Sequence, residues 1–397
     1  MLSKVMLRVL CLDIEGGYGG SSKSLFESII NLRNSDVQIE VWCRRNGPIV
    51  DKYKEHNISV KFTPTMPKVT SVKRHSRNLA ALATFFIFDW PRSHKFRKQL
   101  QKVSEQFDVI HCNHEGLYWL ARWLNIHTHK PITMHKRTNI FDNIFSKLQV
   151  LIIKLHVKNI VFITENEEKN YIQLGGSKNH GKVIPNIVPP LKNTPAILNG
   201  LLGNESFKLC TLANYSYLKG VDRLIDVAKI LIERRKKVLF VIAGSVELTR
   251  SLPGKLGSIA KKGGDLSDYA FQSGVEDMFL FLGHVTNPER VLSSCNALIR
   301  PSREYNPWGR DVLEALSFGL PVIATGTYNR FVENRVTGFL LDEFDPKKVA
   351  DCIVELLQNE QLVKHMGEQG KKRVKELCNG PDRAEDLQHF WQKVIDQ

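Results

Sequence analysis

The sequence lacks paired cysteines, long apolar runs and, in its first half, carboxylates. Its seven cysteines (Cys11, Cys43, Cys112, Cys210, Cys295, Cys352 and Cys378) are odd in number and scattered, with no CxxC. This excludes a disulfide scaffold and points to a reduced, cytoplasmic protein. No apolar run approaches the roughly 18 residues of a spanning helix; the longest, residues 79–88, has ten. The N-terminal stretch places Lys4 and Arg8 among apolar residues and offers no small-residue cleavage site, so it is not read as a signal peptide. Short repeats, low-complexity tracts and heptads are also missing. What remains is a chain of 397 residues, 42% apolar and 9% aromatic, enough for two domains with cores of their own and incompatible with a disordered or collagen-like class.

Carboxylates are scarce in one half only. The chain has 56 Lys and Arg against 41 Asp and Glu, a net charge of +15. Residues 1–200 hold 29 basic and 15 acidic side chains, residues 201–397 hold 27 and 26, so fourteen of the fifteen excess charges lie in the first half. Residues 52–102 alone carry twelve basic and two acidic side chains. A net charge of this size invites a nucleic-acid reading. Its location argues against one, because the segment contains NLAALATFFIFDWPRSHKFRKQL, where Phe85, Phe86, Phe88 and Trp90 run into Arg92, Lys95, Arg97 and Lys98. Aromatics that enter an interface beside cations that meet anionic headgroups make up a peripheral membrane surface. A core helix with a solvated basic flank has the same composition and stays open at this level.

Short apolar runs alternate with helical patterns twice over. The expected strands are residues 5–13, 39–43, 60–62, 109–111, 131–134, 159–163 and 183–184, then 208–212, 238–243, 278–282, 297–300, 322–325 and 338–341. Helical spacing fills the gaps, as in VDRLIDVAKILIERR, where Leu224, Ile225, Ala228, Leu231 and Ile232 share a face. Such alternation means βαβ units and parallel sheets. PNIVPPLKNTPAILNGLLGNES separates the two series as a Pro- and Gly-rich connection. The expectation is two Rossmann-like domains facing across a cleft: residues 1–188, a linker at 189–206, and 207–380, with ligands at the carboxyl ends of the strands.

Three stretches carry the chemistry. The first strand ends in Gly16, Gly17, Gly19 and Gly20, followed by a helix, which lets backbone approach an anion. The spacing is not GxGxxG, so dinucleotide binding is the weaker reading, and a tight turn without ligand is the plain one. In RPSREYNPWGRDVLEALSFGLPVIATG, Pro307 suits a first helical turn, Gly309 admits close approach, and Arg310 opposes the helix dipole unless an anion meets it. The plain alternative is an Arg310–Glu314 pair at i, i+4, stabilising by about 0.3 kcal/mol. Lys219, before Gly220 at a third strand-to-helix turn, repeats the anti-dipole pattern, and with Arg310 makes a cationic clamp for a diphosphate. His111, His114 and His135 follow strands of the first half. The spacing of His111, Cys112 and His114 is not a usual zinc pattern, so no metal is expected; a histidine on a substrate hydroxyl and a buried structural histidine both remain.

Taken in order, GGYGGSSKSL, DVIHCNH, PITMH, KVIPNIV, LKGVDRLI, LFVIAGS, FLGHV, RPSREYNPWGRDVLEALSFGLPVIA and VTGFLL resemble the retaining nucleotide-sugar glycosyltransferases of family 4, which have the GT-B fold. The resemblance implies a UDP- or GDP-sugar donor on the second domain and a lipid-linked or growing glycan acceptor, as in polysaccharide or lipopolysaccharide biosynthesis, on the first. It gives Lys219 the diphosphate, the backbone of Gly283, His284 and Val285 the base, Glu314 the ribose, and the backbone of Pro307, Trp308, Gly309 and Arg310 the distal phosphate and sugar. Glycines 16–20 would close over the phosphates, His135 and His114 would serve the sugar or acceptor, and residues 381–397 would cross back as a helix onto the first domain. Front-face transfer implies no metal and no cofactor, and the anionic inner membrane face is the implied location.

Departures from the family pattern are specific. Asn306 stands eight before Glu314 where the family has glutamate, with Glu304 two residues away. Asn214 replaces an arginine five before Lys219, and Arg330 replaces a later glutamate. An amide cannot serve as a carboxylate. A weakened protein that only binds anionic membrane or RNA, and a nucleotide-sugar epimerase, are therefore the rival readings.

Overall fold

The computed structural model describes residues 6–32, 36–68, 79–189 and 206–396. Almost all of the expected linker, and Lys73, Arg74 and Arg77 of the basic segment, lie outside them. The chain divides into two compact units, residues 1–187 with 378–397, and residues 188–377.

The first unit is built on seven strands: β1 (Leu7–Asp13), β2 (Val37–Cys43), β3 (Ser59–Phe62), β4 (Val109–Cys112), β5 (Ile132–Lys136), β6 (Asn159–Phe162) and β7 (Gly181–Val183). Their order is β3-β2-β1-β4-β5-β6-β7, every neighbouring pair parallel. Side chains alternate across a strand. Leu10 and Leu12 therefore join one core, with Trp42, Ile110, Met134 and Phe162. Val9 and Cys11 join the opposite one, with Val41, Val109 and Val161. The helix Gly380–Ile395 covers that second face with Leu387, Phe390 and Trp391. Burying each of these stabilises by roughly 1.5–3 kcal/mol.

The second unit repeats the plan with β8 (Phe207–Leu212), β9 (Val238–Ala243), β10 (Phe279–Gly283), β11 (Ala297–Arg300), β12 (Val322–Thr325) and β13 (Gly338–Leu341), ordered β10-β9-β8-β11-β12-β13. All six residues of β9 are buried, as expected of a parallel strand covered on both faces. In both sheets the strand order reverses direction beside the first strand, between β1 and β4 and between β8 and β11. Loops at the carboxyl ends of such pairs are where ligands bind in doubly wound sheets. Every expected strand occurs, with ends displaced by at most two residues.

Candidate active site

In the second unit the loops after β8 and β11 are zipped together. Leu218 O accepts from Arg303 N at 2.8 Å and from Ser302 Oγ at 3.1 Å. Gly220, at φ 71°, sits so close to the Pro301 carbonyl that a Cβ would collide with it. Arg303 reinforces the joint by pairing with the buried Asp222 at 2.6 Å and lying 4.0 Å over the Tyr217 ring.

This closure brings Lys219 to the β11 loop. Its Nζ is 3.2 Å from Glu304 Oε2, and the same oxygen accepts from Asn306 Nδ2 at 3.1 Å. Asn306 Oδ1 in turn accepts from Arg300 Nη2 at 3.0 Å, and buried Arg300 is ion-paired with Asp311. Burial, then the Arg300 charge, lower the Lys219 pKa, while Glu304 works the other way. The helix Arg310–Phe318 opens after Gly309, which has no side chain to cap it and whose carbonyl accepts from Val312 N at 3.0 Å. Arg310 Nε donates to Glu314 Oε1 at 2.7 Å, with the side chains 15% and 12% exposed. The i, i+4 pair weighed from sequence is thus formed, and each cation of the expected clamp has its own carboxylate.

The remaining second-unit positions divide between anchors and open backbone. Pro307 and Trp308 are buried, the Trp308 ring edge-on to Tyr328 at 5.2 Å. Pro307 lies ahead of the helix rather than in its first turn, because the helix begins only at Arg310. Asn214 Oδ1 accepts from Ser245 N at 2.8 Å, tying the β8 and β9 loops. Gly283 O accepts from Gly244 N at 2.7 Å; His284 beyond it is exposed and Val285 half-buried.

In the first unit the glycine loop wraps a buried Asp13. Its carboxylate accepts from Gly16 N (3.0 Å), Ser22 Oγ (2.6 Å) and Asn113 Nδ2 (3.0 Å). Gly16 and Gly17, with φ 64° and 95°, are pressed against the backbone of Arg45 and Ile49. The Glu15 carboxylate lies over Gly19 and accepts from Ser21 Oγ, at the start of the helix Gly20–Ile30. An anion approaching Gly16, Gly17, Gly19 and Gly20 therefore meets a carboxylate already placed there, which sequence spacing did not foresee.

His111 and His135 lie inside β4 and β5 rather than after them, and both are buried. His111 Nε2 meets His135 Nδ1 at 2.6 Å, His111 Nδ1 meets Thr133 Oγ1 at 2.8 Å, and Trp391 Nε1 donates to His111 Nδ1 at 3.3 Å. Burial, then the Arg137 charge, push His111 down to about 3 and His135 well below the ordinary range, so this pair is neutral. His114 caps its own turn, its Nδ1 accepting from Gly116 N at 2.9 Å. Beside it the buried Glu115 is held down to about 2: burial opposes this, but His114, Lys136, Thr138 and the Arg137 amide outweigh it. Asp13, Glu115, Lys136 and Arg137 were legible only as a carboxylate ending a strand and as the KR after His135. Among the described residues no three His, Cys, Asp or Glu are grouped to hold a metal.

The aromatic segment forms short helical pieces, Leu79–Thr84, Phe85–Asp89 and Trp90–Arg92, then His94–Ser104. Phe85 is buried, while Ile87 and Phe88 are 62% and 52% exposed beside exposed Arg92, Lys95 and Lys98. Arg97 departs from the expected patch. It lies 4.0 Å over the Trp90 ring and donates to Trp90 O and Ser93 Oγ at 3.1 Å each, so its charge is folded onto the segment itself. No helix among the described residues is long and apolar enough to cross a membrane.

Two doubly wound sheets of this kind recur in solved structures. The Anabaena protein HepE, solved with UDP and glucose, superposes with TM-score 0.78 at 18% identity over 98% of this chain and 100% of that one. That is the GT-B fold. The Glycosyltransferase Family 4 model matches residues 18–190 and the Glycosyl transferases group 1 model residues 199–373. The capsular polysaccharide biosynthesis glycosyltransferase CapM of Staphylococcus aureus is 26% identical over 48% of this chain and 47% of its own length. The N-acetyl-alpha-D-glucosaminyl L-malate synthase of Bacillus anthracis is 34% identical over 26% of this chain and 27% of its own. The matched stretches span about half or less of these relatives. The chain belongs to the glycosyltransferases of family 4.

Proposed function

We propose that the protein transfers a sugar, with retention of configuration and without a metal, from a UDP-sugar to a glycan or lipid-linked acceptor at the cytoplasmic membrane face. The observation that carries this is the Lys219–Glu304–Asn306 cluster at the reversal between β8 and β11, which offers an ammonium where a diphosphate is to be held. UDP is preferred to GDP because the Anabaena neighbour was solved with UDP and glucose. A glycan acceptor follows the name of the S. aureus relative.

In this reading Lys219 and Arg310 neutralise the leaving diphosphate, backbone at Gly283, His284 and Val285 reads the base, and Glu314 binds the ribose. The acceptor oxygen bonds to the anomeric carbon on the face the diphosphate leaves, and a diphosphate oxygen takes the acceptor proton. The protein contributes position and charge rather than a nucleophile. His135, neutral and buried, suits a hydrogen bond to a hydroxyl, and His114 has Nε2 left for the acceptor. Ile87, Phe88, Arg92, Lys95 and Lys98 supply the membrane contact.

The test is a screen of UDP- and GDP-sugars for nucleotide release, with and without extracted lipid-linked glycans, alongside calorimetric titration of UDP and GDP. Release from a UDP-sugar that rises with acceptor is expected. Absence of binding to either nucleotide would sink the proposal in favour of a protein that only binds membrane.

A further inference from the structure

The first unit has a second concave site that none of the residues above enters. A cavity of about 660 Å³ lies at the amino ends of β5 and β6, the sheet edge opposite to the one that carries His135 and Arg137. With β5 five residues long, the two edges are about 15 Å apart. The volume falls within the range of small-ligand sites.

Its wall is chemically one-sided. Lys130, Lys154, Lys158, His129, His156 and His180 line it, and no carboxylate among the described residues does. Leu155 and Ile395, 63% and 38% exposed, supply its apolar surface, backed by the buried Ile132, Val157 and Val394. Part of the positive charge has a local explanation, since the helix Ile144–His156 ends here with Lys154 and His156 in its last turn, where cations offset the helix dipole. Lys130 and Lys158 lie outside that helix, each just ahead of a strand, and exceed what it needs. Two histidines are committed to the wall itself: His180 Nε2 donates to Val157 O at 2.8 Å with Tyr171 on its other nitrogen, and His156 Nδ1 meets Asn125 Oδ1 at 2.9 Å. Burial lowers the pKa of both, so the lysines carry the charge. Lys130 Nζ donates to Glu105 O at 3.4 Å and has a long contact, 3.9 Å, to the Glu105 carboxylate, which is 70% exposed. Lys154 and Lys158 are exposed and pair with no carboxylate among the described residues.

Three lysines over an apolar floor match one ligand chemistry. We propose that this cavity binds an organic phosphate carrying an apolar group, the phosphate on Lys130, Lys154 and Lys158 and the apolar part against Leu155 and Ile395. Ile395 ends the helix Gly380–Ile395, so an occupant ties that helix to the β5–β6 edge. The site is independent of the donor chemistry proposed above, because every residue lining it belongs to the first unit.

The experiment is calorimetric titration of the full chain at low salt with octyl phosphate, inorganic phosphate and octanol. Octyl phosphate is expected to bind at least tenfold more tightly than inorganic phosphate, with octanol weaker still. The double variant Lys154→Ala, Lys158→Ala should lose at least tenfold in octyl phosphate affinity while melting within a few degrees of wild type, since both side chains are exposed and only Lys154 offsets a helix dipole. Lys158→Glu, a single exposed change, should lose as much and serves if the double variant melts early. A competition arm with phosphatidic acid vesicles fixes the source: vesicles that block octyl phosphate assign a lipid headgroup, vesicles that do not assign a soluble phosphate, and both keep the cavity. No binding of octyl phosphate by the wild type, or wild-type affinity in both charge variants, would overturn the proposal.

Discussion

The Lys219 ammonium and the Glu304 carboxylate are 3.2 Å apart, on loops that follow β8 and β11. A diphosphate bound by Lys219 has to take the place of that carboxylate, since like charges do not share one cation at this distance. The pair is about one third exposed on each side, so its own strength is about 1 kcal/mol or less. Glu304→Gln is therefore expected to tighten UDP binding by about twofold to fivefold, in titration, while lowering turnover with any accepted donor. Lys219→Ala is expected to weaken UDP binding by at least about tenfold, the size of one charged hydrogen bond. Tighter binding with undiminished turnover in Glu304→Gln would show that the carboxylate only obstructs.

Arg300 holds the same loop from below. Its guanidinium reaches Asn306 and pairs with Asp311, and both charged side chains are nearly buried, at 7% and 12% exposure. Removing one member leaves the other uncompensated, which costs about 3–5 kcal/mol. Arg300→Ala should lower the unfolding free energy obtained from urea titration by that amount. Arg300→Met combined with Asp311→Leu should recover much of it, and a double variant no better than the single would refute the pairing argument.

How much of this was legible in the sequence depends on range. β9 and β11 to β13 were read to the residue, because continuous β-branched and leucine runs can only be buried parallel strands at that length. The Lys219 turn was legible because a lysine before glycine at a strand-to-helix junction has few structural uses. Its partner was not. Glu304 lies two residues off the family's position, and only the close approach of Gly220 to Pro301 brings it to Lys219. The His111–His135 contact likewise joins residues 24 apart that no spacing rule links. Where the plan depended on local pattern it was readable, and where it depended on two loops meeting it was not.

The acid response follows from buried groups in the first unit. His111 is held near 3 in the folded state against an ordinary 6.5, so the unfolded chain takes a proton there that the folded one refuses. Stability falls as pH drops below 6.5, by about 1.4 kcal/mol per unit for one such group. Glu115, held near 2 against 4.5, adds a loss in the same direction below about pH 4.5, where its unfolded form protonates first. Thermal melting from pH 8 to 4 should be flat at first and then fall, with a second steepening near 4.5. His111→Asn should lessen the slope between 6.5 and 4.5, where His135 still contributes, and leave the lower section; an unchanged profile would remove the neutral pair from the account.

The aromatic segment makes a prediction that separates charge from packing. Arg92, Lys95 and Lys98 are exposed, whereas Arg97 is folded over Trp90 and bonded to the backbone. If the segment meets anionic lipid, each exposed cation near the surface contributes about 1 kcal/mol. The triple variant Arg92→Gln, Lys95→Gln, Lys98→Gln should lose flotation with anionic vesicles at low salt by well over tenfold, with its melting temperature unchanged. Arg97→Gln should lower the melting temperature by a few degrees, because it surrenders two hydrogen bonds and a stacking contact, and should reduce flotation least. The exposed Ile87 and Phe88 test the apolar half: Ile87→Ser with Phe88→Ser should weaken flotation and leave a remainder that moderate salt removes, since cations alone hold a protein outside the interface rather than in it. Flotation that survives both sets of changes would assign the segment to the plain alternative, a helix with a solvated basic flank.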